Sequence, residues 1–229
     1  MKFKPSYTSS IAEDIMAERL IRAQAVEFLA DAPMRLKSGL ISPVYVDNRK
    51  LFSHPEAWRD IVETMASRVE EYDLEFDIVA GVEAAGSMHA AALAYRLGLP
   101  AIMVRQKAKT YGNHSRIEGG DVKGMRVLLL EDHISTGLSC LDAIRALRGE
   151  GAQVTQVMSI TNYAIPETQR LFKQEGIDTY DVIAFEKVVR KAKGMGVIDD
   201  EHEKLVLEWL QTPWTWAAMH GVVASAIEN

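Results

Sequence analysis

Between residues 76 and 185 the chain alternates short, uninterrupted apolar runs with stretches of helical periodicity, and this alternation limits the fold more than any other feature. The runs cover 76–80, 100–104, 126–130, 154–160 and 181–185. Runs that are apolar throughout, rather than at every second residue, mark strands buried on both faces. Between them lie an Ala-rich helix at 86–97 closed by Gly98, a helix at 138–148 closed by Gly149 and Gly151, and a helix at 166–174 opened by Pro166. The pattern predicts an α/β fold: a doubly wound, mainly parallel five-stranded sheet with helices on both faces and right-handed crossovers.

The N-terminal third reads differently. Residues 11–30 carry helical periodicity, with Ile11, Ile15, Phe28 and Leu29 among the apolar positions. Residues 35–47 place two extended pieces around a Ser/Gly/Pro turn, which predicts a hairpin. Ser53 and Glu56 have capping-box spacing, with Pro55 in the first turn, before a helix that buries Trp58, Ile61, Val62, Met65 and Val69. The expected organisation is one structural domain in three parts. Residues 1–72 give an N-terminal helix, a hairpin and a second helix. Residues 73–190 give the core, and 191–229 a C-terminal helix and a Trp-rich tail.

Composition narrows the function. A lone cysteine, Cys140, excludes an intrachain disulfide. The N-terminus lacks the apolar core of a signal peptide, and the most apolar region, 78–104, is broken by Glu83, His89 and Arg96. A cytoplasmic protein without a membrane partner is expected. The formal charge of −6 argues against nucleic acid as a partner. Within 105–126, however, Arg105, Lys107, Lys109, Arg116, Lys123 and Arg126 face only Glu118 and Asp121, a net of +4. A basic island in an acidic protein suits a small, highly charged anion, or is a solvated loop.

Ligands of doubly wound sheets bind beyond the carboxyl ends of the strands. That rule points to 81–86, 105–112 and 131–139. In the last, the apolar strand Val127-Leu128-Leu129-Leu130 ends in Glu131 and Asp132, then Ser135-Thr136-Gly137 leads into a helix. Amides at the helix start, with the hydroxyls, make a phosphate cradle. The adjacent carboxylates would repel a phosphate; they suit sugar hydroxyls or a hydrated cation. Together they describe a ribose 5-phosphate. No Gly-x-Gly-x-x-Gly or P-loop pattern is present.

The run from Leu128 to Gly137 resembles the phosphoribosyl pyrophosphate (PRPP) motif of type I phosphoribosyltransferases. Residues 37–49, 81–86 and 105–119 resemble, in order, the hood and orotate-side segment, the pyrophosphate loop and the mobile catalytic loop of orotate phosphoribosyltransferases. The tail around Trp209, Trp214, Trp216 and His220 resembles that of a bacterial subgroup. The resemblance implies transfer of phosphoribose from PRPP to orotate with Mg²⁺ held through PRPP, in a homodimer that shares loop 105–118 across its interface. It implies catalytic roles for Arg105, Lys109 and Asp132. It places Lys37, Ala84, Ala85, Arg105, Gln106, Lys109 and Tyr111 on PRPP. Glu131, Asp132, His133, Ile134, Ser135, Thr136, Gly137, Leu138 and Ser139 would complete that site. Lys37, Tyr45, Ser135 and Tyr163 fall at the orotate side.

Some positions depart from the family. Gln106 stands where many relatives have Lys, His133 where an apolar residue is usual, and Leu138 where a small one is. Tyr163 replaces an Arg that some members aim at the orotate carboxylate, which leaves that role to Lys37, Arg49, Ser135 or backbone. These departures keep two alternatives in view: another base on the same scaffold, or a PRPP- or nucleotide-sensing regulator. Solvent exposure is expected for Lys107 and Arg116. Core packing is expected for Met65, Met88, Met103, Met158 and the Trp cluster, and a solvated helix face for His202.

Overall fold

The computed structural model describes residues 9–107 and 115–222. Helix α1 (Ser9–Arg22) is shorter than its periodicity predicts. Gln24 turns left-handed at φ 53°, and the Ala23 and Ala25 amides fold back onto the Arg19 and Leu20 carbonyls, closing the helix. Phe28 therefore lies on a strand, β1 (Val26–Phe28), not on the helix. Strands β2 (Met34–Arg35) and β3 (Ile41–Ser42) form the expected hairpin. Past Pro43, strand β4 (Val44–Val46) leaves it to pair antiparallel with β1. A 3-10 helix, Asn48–Ser53, leads into α2 (Pro55–Glu71). The capping box does not form: His54 takes the cap position, and the Ser53 hydroxyl donates to the Lys50 carbonyl instead.

The core follows as β5 (Ile78–Val82), α3 (Ala85–Leu97), β6 (Ala101–Val104), β7 (Ile117–Glu118), β8 (Arg126–Ile134), α4 (Leu138–Gly149), β9 (Gln153–Asn162), α5 (Pro166–Gln174) and β10 (Asp178–Ala184). The sheet has six strands, not five, in the order β10-β9-β8-β5-β6-β7. Five are parallel; β7, two residues long, adds antiparallel to the edge of β6. Helices α6 (Phe185–Gly194), α7 (Asp200–Gln211) and α8 (Trp216–Met219) close the chain.

The two sheet faces build two apolar clusters. Val79, Leu128, Leu130, Met158 and Ile160 meet residues of α1, α2, α3, α6 and α7 on one side. Ile78, Ala80, Leu129 and Val157 meet α4 and Phe172 of α5 on the other. Burial of each such aliphatic side chain stabilises the fold by roughly 1.5–3 kcal/mol. Met65 and Met158 pack in the core as expected, whereas Met88 is exposed on α3. Among the described residues no helix is long and apolar enough to cross a membrane.

Neighbouring strands β5 and β8 send the chain in opposite directions, to β6 on one side and β9 on the other. This is the topological switch point, and a crevice opens beyond the carboxyl ends of the two strands. Strand β8 also runs further than its apolar run. The register Glu131↔Ser159, His133↔Thr161 and Ile134↔Asn162 keeps it paired with β9 through residue 134. Glu131 and Asp132 thus sit on rigid strand, not in the turn.

Candidate active site

A cleft of about 560 Å³ lies at the switch point. Its floor is the run Glu131, Asp132, His133, Ile134, Ser135, Thr136, Gly137, Leu138 and Ser139; one wall is Glu83, Ala84, Ala85 and Gln106; the hood side is Lys37, Ser38, Tyr45, Asp47 and Arg49, with Tyr163 behind. Close approach of backbone requires glycine twice on the first wall. A Cβ on Gly81 would come within 2.4 Å of the Ser87 Cα, and one on Gly86 within 2.7 Å of the Leu130 carbonyl oxygen. These contacts seat the start of α3 against the ends of β5 and β8.

The carboxylates are held in place by rigid strand and by neighbouring backbone amides. Glu131 is buried; burial and the neighbouring Asp132 charge push its carboxyl well above the usual range. Burial also raises Asp132. The Asp132 amide donates to Glu131 Oε1 at 3.2 Å, and the Asn48 side-chain amide donates to the Asp132 carbonyl at 2.7 Å. A ligand that donates hydrogen bonds to this pair would restore its charge.

The turn that follows is open to an anion. Gly137 caps α4 in a left-handed conformation, φ 73°, with no side-chain cap bond, so neither Asp132 nor Ser135 caps this helix. A Cβ at 137 would strike Thr168 at 2.8 Å, so the turn needs this glycine. The first-turn amides of α4 remain without a capping side chain, as phosphate binding requires. The hydroxyls of Ser135 and Ser38 are both shut off from solvent with no hydrogen-bond partner among the described residues.

The basic stretch is more paired than its sequence suggests. Arg105 does not line the cleft; its Nη1 lies 3.3 Å from Glu118 Oε1 and its Nε 4.0 Å from Glu83 Oε1. Gln106 grips the cleft wall, its backbone amide donating to Glu83 Oε2 at 3.0 Å and its side chain to the Glu83 carbonyl at 3.2 Å. Arg116 is half-buried rather than fully exposed; it pairs with Asp142 at 2.6 Å and donates to the Arg105 carbonyl. Arg126 pairs with Glu75 and Asp77. Lys107 is exposed as expected. Lys109 and Tyr111 lie outside the described residues.

Behind the cleft, Tyr163 is buried and donates its hydroxyl proton to the Val44 carbonyl at 3.2 Å. Its ring meets His133, Phe185 and Trp209 edge to face, at centroid distances of 4.2, 4.9 and 4.9 Å. Burial holds His133 at about 3, hence neutral. Trp209 and Trp216 are packed inside as expected, whereas Trp214 is exposed. Cys140 is buried on α4. His202, at the start of α7, pairs with Asp199. Glu83, Asp47 and Ser38 reach the cleft without having been singled out. All three lie inside motif segments, so their place along the chain was the available signal.

The Phosphoribosyl transferase domain family matches residues 47–197. An orotate phosphoribosyltransferase of Coxiella burnetii is 41% identical over 88% of this chain and 96% of its own length. That of Bacillus subtilis is 34% identical over 90% and 95%. Among solved structures, the UMP synthase of Leishmania donovani superposes with a TM-score of 0.75 at 26% identity, over 87% of this chain. This chain spans 42% of that longer protein. The orotate phosphoribosyltransferase of Mycobacterium tuberculosis in complex with PRPP gives 0.60 at 26% identity, over 77% of this chain and 98% of its own.

Proposed function

Because the chain belongs to the orotate phosphoribosyltransferase family, we propose that it transfers the 5-phosphoribosyl group of PRPP to orotate, giving orotidine 5′-monophosphate and pyrophosphate for UMP synthesis. One observation carries the reading. An uncapped helix start that suits phosphate adjoins a buried carboxylate pair that suits a diol, on rigid backbone at the switch point of the sheet.

The chemistry breaks the bond from C1 of the ribose to the pyrophosphate oxygen and forms one from C1 to a ring nitrogen of orotate. Positive charge develops on the sugar and negative charge on the leaving group. Glu131 and Asp132 accept the ribose hydroxyls and, ionised by those bonds, stabilise the sugar cation. The turn 135–139 wraps the 5-phosphate with backbone amides and hydroxyls. Ala84 and Ala85, with Gln106 against Glu83, border the pyrophosphate; Arg105, Lys109, Tyr111 and Lys37 attend its charge. Arg105 would exchange its pairing with Glu83 and Glu118 for the phosphate. Tyr45 and Ser135, both lining the cleft, would contact the base. Tyr163, its proton committed to Val44, serves as the packed wall behind.

The cleft suits Mg²⁺ held mainly through substrate. Among the described residues no group of three or more His, Cys, Asp or Glu forms a closed metal site. Magnesium keeps waters and binds through one or two carboxylates plus substrate phosphates, and Asp132 and Glu131 offer those oxygens beside the phosphate turn. When bound, the ion would neutralise charge on the departing pyrophosphate. Exposed Met88 and Tyr95, one heptad apart on α3, support a homodimer in which loop 105–118 completes the partner's site. A cytoplasmic setting fits the single buried thiol.

A base panel tests the assignment. Orotate, uracil, adenine and hypoxanthine are each offered with PRPP and Mg²⁺. Consumption of orotate alone is expected; faster consumption of any other base would refute the assignment of substrate.

A further inference from the structure

The 3-10 turn on the hood side of the cleft is anchored from within. Asn48 is buried, and its side-chain amide donates to the Asp132 carbonyl at 2.7 Å and to Thr161 Oγ1 at 3.2 Å. The residues on either side of it, Asp47 and Arg49, line the cleft. Asp47 accepts the Arg49 backbone amide at 3.2 Å and grips the guanidinium side-on, taking Nε–H on Oδ1 at 2.6 Å and Nη2–H on Oδ2 at 2.9 Å. A guanidinium carries five N–H donors in a rigid fork. The side-on grip uses the Nε proton and one proton of Nη2. The edge that joins Nη1 and Nη2 keeps two parallel donors, with no hydrogen-bond partner among the described residues. Asp47, and after it Tyr45 and Asp132, strengthen the hold of Arg49 on its proton, so the guanidinium sits within electrostatic reach of both the hood ring and the cleft floor. A long exposed side chain ordinarily loses rotamer freedom when it binds; here the anchored turn and Asp47 have already fixed it.

The charge balance of the cleft gives this edge a use. Asp47, Glu83, Glu131 and Asp132 all line the cleft, and each repels a ligand carboxylate. Among the described residues that line it, Lys37 and Arg49 are the only lysine and arginine. Lys37 attends the pyrophosphate in the reading above. Tyr163 donates its proton to Val44 and brings no charge. With the 5-phosphate at 135–139 and the pyrophosphate at Ala84 and Ala85, the hood side, where Tyr45 and Arg49 lie, is left to the base. We propose that Arg49 is a specificity-determining residue whose Nη1 and Nη2 donors bind the carboxylate of orotate, with Asp47 orienting the guanidinium. The inference rests on the orotate reading above and names the cation that serves the base where Tyr163 cannot. A planar fork matches a carboxylate in two bonds at once, which a lysine does not.

The test compares wild type with Arg49→Met, which keeps the stem and loses the charge, and Arg49→Lys, which keeps the charge and loses the fork. The Arg49 side chain is 60% exposed, and an exposed ion pair contributes little to stability, so both variants should fold. Orotidine and uridine monophosphates differ only by the carboxylate, and calorimetry on the full chain reads their affinities separately. Arg49→Met should weaken orotidine monophosphate about 10- to 100-fold and uridine monophosphate less than about twofold, as loss of a charge-assisted pair of bonds implies. Arg49→Lys should fall between the two. In kinetics, KM for orotate should rise in Arg49→Met while KM for PRPP stays within about twofold. Equal weakening of both nucleotides, which a contact to phosphate or ribose would give, overturns the proposal. So does an unchanged affinity for orotidine monophosphate, or a rise confined to KM for PRPP. Wild type that leaves orotate unconsumed and binds the two nucleotides alike would refute the orotate reading itself, a separate result.

Discussion

His89 and His133 are both buried without charge, held at about 4 and about 3 by loss of solvent. In the unfolded chain each takes up its proton near 6.5. Their folded values lie below the unfolded one, so their contribution is fully present above pH 6.5. It is lost as pH falls through the interval down to the folded values. Each histidine contributes a slope of about 1.4 kcal/mol per pH unit over that range. Asp181 works in the opposite sense. Burial pushes it up to about 6, so between that value and its usual range acid favours the fold. A comparison of slopes isolates one histidine from these other groups. Urea unfolding between pH 7 and 4.5 should show a shallower loss in His133→Leu than in wild type, by about one proton's worth, or 1.4 kcal/mol per unit. Parallel curves would mean that His133 titrates normally in the folded chain.

Among elements, α7 has a role that its position in sequence conceals. Its Trp209 is buried, stacks edge to face on Tyr163 and donates Nε1–H to the Ile41 carbonyl of β3 at 2.8 Å. The C-terminal helix thereby braces the hairpin that carries Lys37 and Ser38 into the cleft. Trp209→Ala should cost about 3–5 kcal/mol in chemical denaturation. Trp209→Phe, which loses the hydrogen bond but keeps most packing, should cost nearer 1 kcal/mol. Equal losses would show that the ring alone carries the contact. The parallel strands were legible because burial on both faces leaves an unbroken apolar run, and β8 announced itself through Leu128, Leu129 and Leu130. Strand β1 was not, because Phe28 and Leu29 fall at helical spacing from α1 and only the left-handed turn at Gln24 separates the two. Strand β7 is two residues paired to a neighbour 13 positions away, below any periodic signal. Met88 illustrates a third limit: in the Ala-rich α3, small residues on every side hide which face is buried.

Across the whole molecule, the charge count and the charge geometry differ. The +4 stretch reads as a free cationic loop. Yet Arg105, Arg116 and Arg126 turn to Glu118, Asp142, Asp77 and Glu75, partners up to 51 positions away. Sequence locates the floor of the cleft, residues 131–139, because strand, carboxylates and turn are contiguous. It does not show that Tyr163 faces inward, since its partners Val44 and Trp209 come from opposite ends of the chain. What assembles the site is topology: β5 and β8 must be neighbours for the Gly81–Gly86 turn and the Glu131–Ser139 run to share one crevice. The central claim is that this crevice joins a pyrophosphate-activated ribose to orotate. The most direct measurement is the time course of purified protein with PRPP, orotate and Mg²⁺. Orotidine 5′-monophosphate and pyrophosphate should appear in equal amounts as orotate disappears, and Asp132→Asn should slow both about 10- to 100-fold, as loss of a charge-assisted contact predicts. Pyrophosphate release without orotidine monophosphate, or unchanged rates in Asp132→Asn, would contradict the account.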